Sequence, residues 1–120
     1  MALASTNTTC DVYRVGRTPP APPDVAGVRC LLNPKGQSTL TSGWYTHVML
    51  VPTTTDVRDD FQQAGGAPAA GPNSDFVYVP DKNGQKYQVV EVRRQGRGTA
   101  LDCKQVLLYR LTVTWPQDNL

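Results

Sequence analysis

Apolar and polar residues alternate along this chain in short runs of period two, and no window carries apolar residues at i, i+3, i+4 and i+7 for three turns. Prolines at 19, 20, 22, 23, 34, 52, 68, 72, 80 and 116 cut the chain into pieces too short for ordinary helices. Runs rich in Val, Thr and Tyr between such breakers read as strands. The first covers 10–15, where Cys10 and Val12 alternate with Asp11 and Tyr13. A second lies within 25–32, after the extended Pro-rich connection 18–24. The most apolar run, 43–51, places Trp44, Thr46, Val48 and Leu50 on one face and Tyr45, His47, Met49 and Val51 on the other. With both faces largely apolar, that strand should be central or covered on both sides.

Further strands are expected at 75–79, 85–94 and 101–114. Asp81-Lys82-Asn83-Gly84 joins the first two as a tight hairpin, because Asn-Gly tolerates positive φ. Gln95-Gly96-Arg97-Gly98-Thr99 supplies the next turn. In the 85–94 run the apolar residues switch face, from Tyr87 and Val89 to Val90 and Val92, which calls for a bulge or barrel corner. Between 53 and 74 no element is legible: 56–61 has the composition of one helical turn, and 63–73 is mostly Ala, Gly and Pro. A stretch of this length without structure of its own is typically functional or disordered. The expected fold is therefore all-β: a small antiparallel β-barrel of about six strands with a long flexible loop. The expected organisation is a flexible N-terminal arm at 1–9, one barrel domain at 10–115 and a C-terminal tail at 116–120.

Composition narrows this reading. Of 120 residues, 39% are apolar and Gly plus Pro contribute 10 each, a thin core that neighbouring subunits would help to stabilise. Residues 1–80 hold five Lys/Arg and six Asp, and residues 81–120 hold seven Lys/Arg and four acids, so the basic excess lies in the last third. Lys82, Lys86, Arg93, Arg94 and Arg97 fall within sixteen residues. They are candidates to contact nucleic acid or an acidic partner, against the alternative of a solvated hairpin. Arg93 and Arg94 point to opposite faces unless the strand bulges, and only Tyr87 is interleaved as an aromatic, which disfavours single-strand stacking.

Catalytic chemistry has little to build on. His47 is the one histidine, and it sits mid-strand beside Val48 and Met49. Cys10, Cys30 and Cys103 form no Cys-x-x-Cys unit; they read as buried thiols, not as a disulfide framework or zinc site. Gly96-Arg97-Gly98 lacks the Lys-Ser/Thr ending of a phosphate loop. The expectation is a non-enzymatic protein without cofactor or metal. The N-terminus has no signal-peptide pattern and no run is long enough to span a bilayer, so no membrane is expected and synthesis is placed in the cytoplasm.

The order of motifs resembles the head-closure (stopper) proteins of tailed bacteriophages, a head–tail connector family. The resembling residues are Val12-Tyr13-Arg14, Val28-Arg29-Cys30, Thr46-His47-Val48-Met49-Leu50-Val51-Pro52 and Thr55-Asp56-Val57-Arg58-Asp59-Asp60. Gly84-x-x-Tyr87-x-Val89-x-x-Val92 and the Gly-rich turn before the last strand follow. The resemblance spans roughly 10–111; the Ala/Gly/Pro stretch at 64–73 and the Pro-rich first connection depart from it. It implies a homo-oligomeric ring, six- or twelve-fold, in the virion neck. Such a ring would lie between the portal–adaptor complex and the tail-terminator or tail proteins, retaining packaged double-stranded DNA. It also implies that Asp56, Arg58, Asp59, Asp60 and Phe61 form an inter-subunit or channel loop, with Lys82, Lys86, Arg93, Arg94 and Arg97 near a lumen. Rival readings are another neck or tail component, such as an adaptor or tail terminator, and a small nucleic-acid-binding β-barrel.

Overall fold

A computed structural model describes residues 6–34, 45–62, 69–96 and 102–111. These form eight strands: β1 (Thr8–Tyr13), β2 (Val25–Pro34), β3 (His47–Val51), β4 (Phe61–Gln62), β5 (Ala69–Ala70), β6 (Phe76–Val79), β7 (Gln85–Gln95) and β8 (Cys103–Arg110). Six of them close an all-antiparallel barrel in the order β1-β2-β3-β8-β7-β6, while β4 and β5 pair as a separate two-stranded ribbon. The described residues contain no helix.

Period-two alternation fills the barrel. Cys10 and Val12 of β1, Cys30 of β2, Met49 and Val51 of β3, Val77 and Val79 of β6, Tyr87 and Val89 of β7, and Val106 and Leu108 of β8 make one buried cluster. In β3 the odd-numbered face enters this core. Val48 and Leu50 on the other face are half-buried, and Leu107, opposite Val48, is buried outside the barrel. The face switch in β7 is a register shift between Val89 and Glu91, with Val90 as the extra, buried residue. It lets Val89 and Val92, from one strand, both pack on the barrel core.

A second bulge lies in β2, between the pairs Cys10–Val28 and Val12–Val25. Gly27 adopts φ +65° there, a left-handed conformation that favours glycine. Asp11, on the outer face of β1, accepts from the Gly27 N–H (2.8 Å) and from the Lys82 N–H (3.0 Å), so one buried carboxylate ties the bulge to the β6–β7 turn. That turn differs from the expected positive-φ hairpin: neither Asn83 nor Gly84 has positive φ. Gly84 is needed for another reason, because a Cβ there would collide with the Val79 carbonyl. Asp81 organises the turn, its side chain accepting from the Asn83 N–H and its carbonyl from the Gly84 N–H.

Strand limits differ from the sequence expectation where side chains extend pairing. β1 starts at Thr8, within the expected arm, because the Asn7 amide brackets Leu32, donating to its carbonyl (3.0 Å) and accepting from its N–H (2.9 Å). The Pro-rich connection folds over the outside of β1 and β6. Tyr13 donates its hydroxyl to the Ala21 carbonyl (2.6 Å) and meets the Tyr78 ring edge-on at 5.2 Å. The part of the expected last strand beyond residue 111, the expected C-terminal tail and Trp44 lie outside the described residues.

Tyr87 brings the largest ring into the barrel cluster, so Tyr87→Ala is expected to cost about 3 kcal/mol. Tyr109→Ala, at a ring 42% exposed, should cost less than about 0.5 kcal/mol. Urea denaturation of the two variants checks both.

Candidate functional site

The β3–β6 connection crosses one end of the barrel as a cap. Its first part is extended, not a helical turn: Thr55 and Val57 are buried while Asp56 and Arg58 are exposed, a period of two. Val57, 4% exposed, joins the barrel cluster and plugs that end. A helical turn there would withdraw Val57 from the barrel.

The cap's charged residues face one another and the barrel rim. Asp59 accepts from the Val92 N–H of β7 at 2.6 Å. Asp60 accepts from the Asn73 N–H at 2.9 Å and its own N–H donates to the Ser74 hydroxyl. Its carbonyl accepts from Gly71, where any Cβ would strike Asp60. Phe61 pairs with Ala70 in the β4–β5 ribbon. Asp56 accepts from Arg58 (3.0 and 3.2 Å) and pairs with Arg14 (2.7 Å). The Arg58 hydrogen bonds, with the Arg14 charge, hold its carboxyl below the usual range.

Arg14 also reaches Asp75 at 2.6 Å, and the Arg58 N–H donates to the same Asp75 oxygen at 2.8 Å. The Asp75 side chain is only 2% exposed. Burial pushes its carboxyl up, while the Arg58 N–H and the Arg14 charge pull against that shift. Arg14 thus links the end of β1, the cap and the start of β6. Neither Arg14 nor Asp75 is marked as a site by the sequence, since each is a single charge beside an apolar run.

The basic cluster does not form one patch. Lys82 lies in the β6–β7 turn and Lys86 at the start of β7, with its ammonium 4.5 Å from the Phe76 ring centroid. Arg93 and Arg94 lie at the far end of the same strand, about 25 Å along it. There Arg93 pairs with Glu91 (2.9 Å) and Arg94 forks onto Asp102 (2.5 and 2.6 Å). Arg97 lies outside the described residues.

His47 stands at the uncapped end, its Nδ1 2.9 Å from the Thr46 hydroxyl and its ring edge-on to Tyr87 at 5.0 Å. Burial, then the Arg110 charge, depresses its pKa. The three cysteines are free and buried. Contact with Cys30 and burial push the Cys10 thiol up, and burial does the same for Cys103, so neither is an activated nucleophile. Among the described residues no group of three His, Cys, Asp or Glu could hold a metal ion. Among the described residues there is no helix long and apolar enough to cross a membrane.

No protein-family model, no curated protein and no solved structure matches this chain. The resemblance to head-closure proteins therefore stands on the residues quoted for it.

Arg14→Ala leaves the buried Asp75 without its guanidinium and is expected to cost about 3 kcal/mol. Arg93→Gln, which breaks an exposed pair, should cost less than about 1 kcal/mol; thermal unfolding of both variants tests the contrast. His47 is the chain's one histidine, so its imidazole resonance is unambiguous, and it should titrate below 6.5. With the folded pKa depressed, His47 contributes stability that is present above about pH 6.5 and is lost as pH falls through the folded pKa.

Proposed function

We propose that this chain is a non-enzymatic structural subunit of a tailed-phage neck, a head-closure ring between the portal–adaptor complex and the tail that helps to retain packaged DNA. The observation that carries the reading is the cap. The stretch Thr55-Asp56-Val57-Arg58-Asp59-Asp60, central to the resemblance, is a shaped element anchored by Val57 in the core and by Arg14, Asp75 and Val92 around the rim. From this anchored base the connection continues into the β4–β5 ribbon, which is hydrogen-bonded apart from the barrel sheet, lies beside β7 and is the element proposed to contact a neighbour. A closed barrel offers neighbours few free strand edges, so side-chain and cap contacts, not strand addition, would build such a ring.

A second reading, a nucleic-acid-binding barrel, is favoured by one observation: the cations at the uncapped half have no ion-pair partners among the described residues.

Light scattering and negative-stain imaging of the purified protein, alone and with DNA-filled phage heads, test the connector reading. Rings, or binding confined to the portal vertex, are expected. A persistent monomer that ignores the portal vertex overturns it.

A further inference from the structure

The uncapped end of the barrel brings three side chains together on its inner face. His47 opens β3 and stands opposite Leu108 of β8, while Tyr87 of β7 stands opposite Arg110 of the same strand. Leu108 and Arg110 are two residues apart, so they share a face at a separation of about 7 Å. Leu108 belongs to the barrel core, and Arg110 follows it as the last residue of β8, exposed at the mouth. The His47 and Tyr87 rings come from the two strands that flank β8 and meet edge-on at 5.0 Å. Arg110 thus stands at the rim of a ring pair that spans its own strand.

The Thr46 hydroxyl fixes the imidazole. It donates to the Leu108 carbonyl (3.3 Å) and accepts from the Arg110 N–H (2.8 Å). Its single proton is thereby committed, so in the 2.9 Å contact with His47 the Nδ1–H is the donor. Nε2 is then the nitrogen that gains a proton when the imidazolium forms.

Charge at this mouth is one-sided. Arg110 enters no ion pair among the described residues. The charged or titratable groups around His47 are Arg110 of β8, Tyr87 of β7 and Tyr45, two residues before it; on β2 it faces Pro34. None of these is a carboxylate. Lys86, next to Tyr87, turns away, with its ammonium 4.5 Å from the Phe76 ring centroid. The Arg110 charge adds to burial in depressing the His47 pKa and opposes the rise that burial gives Tyr87, so it is within electrostatic reach of both rings.

We propose that this mouth binds a tetrahedral oxyanion, phosphate or sulfate as the dianion, between the Arg110 guanidinium and Nε2 of His47, and that His47 takes up one proton from solvent as the anion enters. Both groups then donate, the guanidinium through its fork and the imidazolium through Nε2–H. A neutral His47 would instead turn a lone pair toward the anion. Without ligand, the Arg110 charge opposes protonation of His47; an anion between them removes that conflict, so binding and protonation favour each other reciprocally. A dianion matches the two positive charges of the protonated site, whereas a carboxylate would leave one unmatched. The inference requires neither ring nor portal and is independent of the connector reading.

The test follows the imidazole resonances of His47, the chain's one histidine, by NMR through pH titrations in sodium sulfate and in sodium phosphate, against sodium chloride at matched ionic strength. A tenfold preference of the anion for the protonated site raises the His47 pKa by about one at saturation, and a rise of this size is expected. A rise in only one of the two salts names the anion. Arg110→Gln, checked for folding by circular dichroism, should abolish the rise, whereas Lys82→Gln, in the β6–β7 turn, should keep it. Equal titration of His47 in all three salts, a rise that survives in Arg110→Gln, an equal loss in Lys82→Gln, or a response to acetate as large as that to sulfate would each overturn the proposal.

Discussion

Closure of the barrel rests on a short seam. β6 has four residues, and it meets β1 at only three register positions, Asp11–Tyr78, Val12–Val77 and Tyr13–Phe76. Backbone hydrogen bonds over so few pairs are modest in net value. Side chains complete the join: Asp11 to the Lys82 N–H, the Thr9 hydroxyl to the Pro80 carbonyl, and the Tyr13 ring against Tyr78. The Pro-rich connection then shields this seam from outside through the Tyr13 hydroxyl. Without the seam, β1 and β6 would become open edges, the situation that closed sheets avoid.

The seam also fixes what happens at the barrel's two ends. Asp75 immediately precedes β6 and Arg14 immediately follows β1, so joining those strands brings the two charges together at the rim. Asp56 and the Arg58 N–H complete the group, and Val57 between them is directed into the barrel. A buried carboxylate costs several kcal/mol unless it is paired and hydrogen-bonded. The cap supplies those partners, so cap and seam support each other.

Internal use of charge at the capped end shapes what remains for partners. Arg93 and Arg94 are neutralised by Glu91 and Asp102, and Asp59 and Asp60 serve backbone N–H groups. Lys104 at the capped end gives its ammonium to the Thr55 carbonyl; the other cations without ion pairs among the described residues lie at the opposite half, two of them, Arg29 and Arg110, outside the run that looks basic in the sequence. A charge count along the chain therefore locates an excess without locating the surface that carries it.

The sequence by itself determined the all-β class, six of the strand positions and the β7 bulge. Each follows from local rules: prolines exclude long helices, side chains alternate on strands, and the change from Tyr87 and Val89 to Val90 and Val92 demands an extra residue. The Asp81–Gly84 turn was legible too, though glycine is required there by the approach of the Val79 carbonyl and not by positive φ. Only the tertiary structure decided the closing seam, the plug formed by Val57 and the pairing of Arg14 with Asp75 across 61 positions of chain. It alone sorted the charges between the two ends. These depend on which distant strands become neighbours, and period and composition report a residue's face on its own strand but not the residue that will stand opposite it.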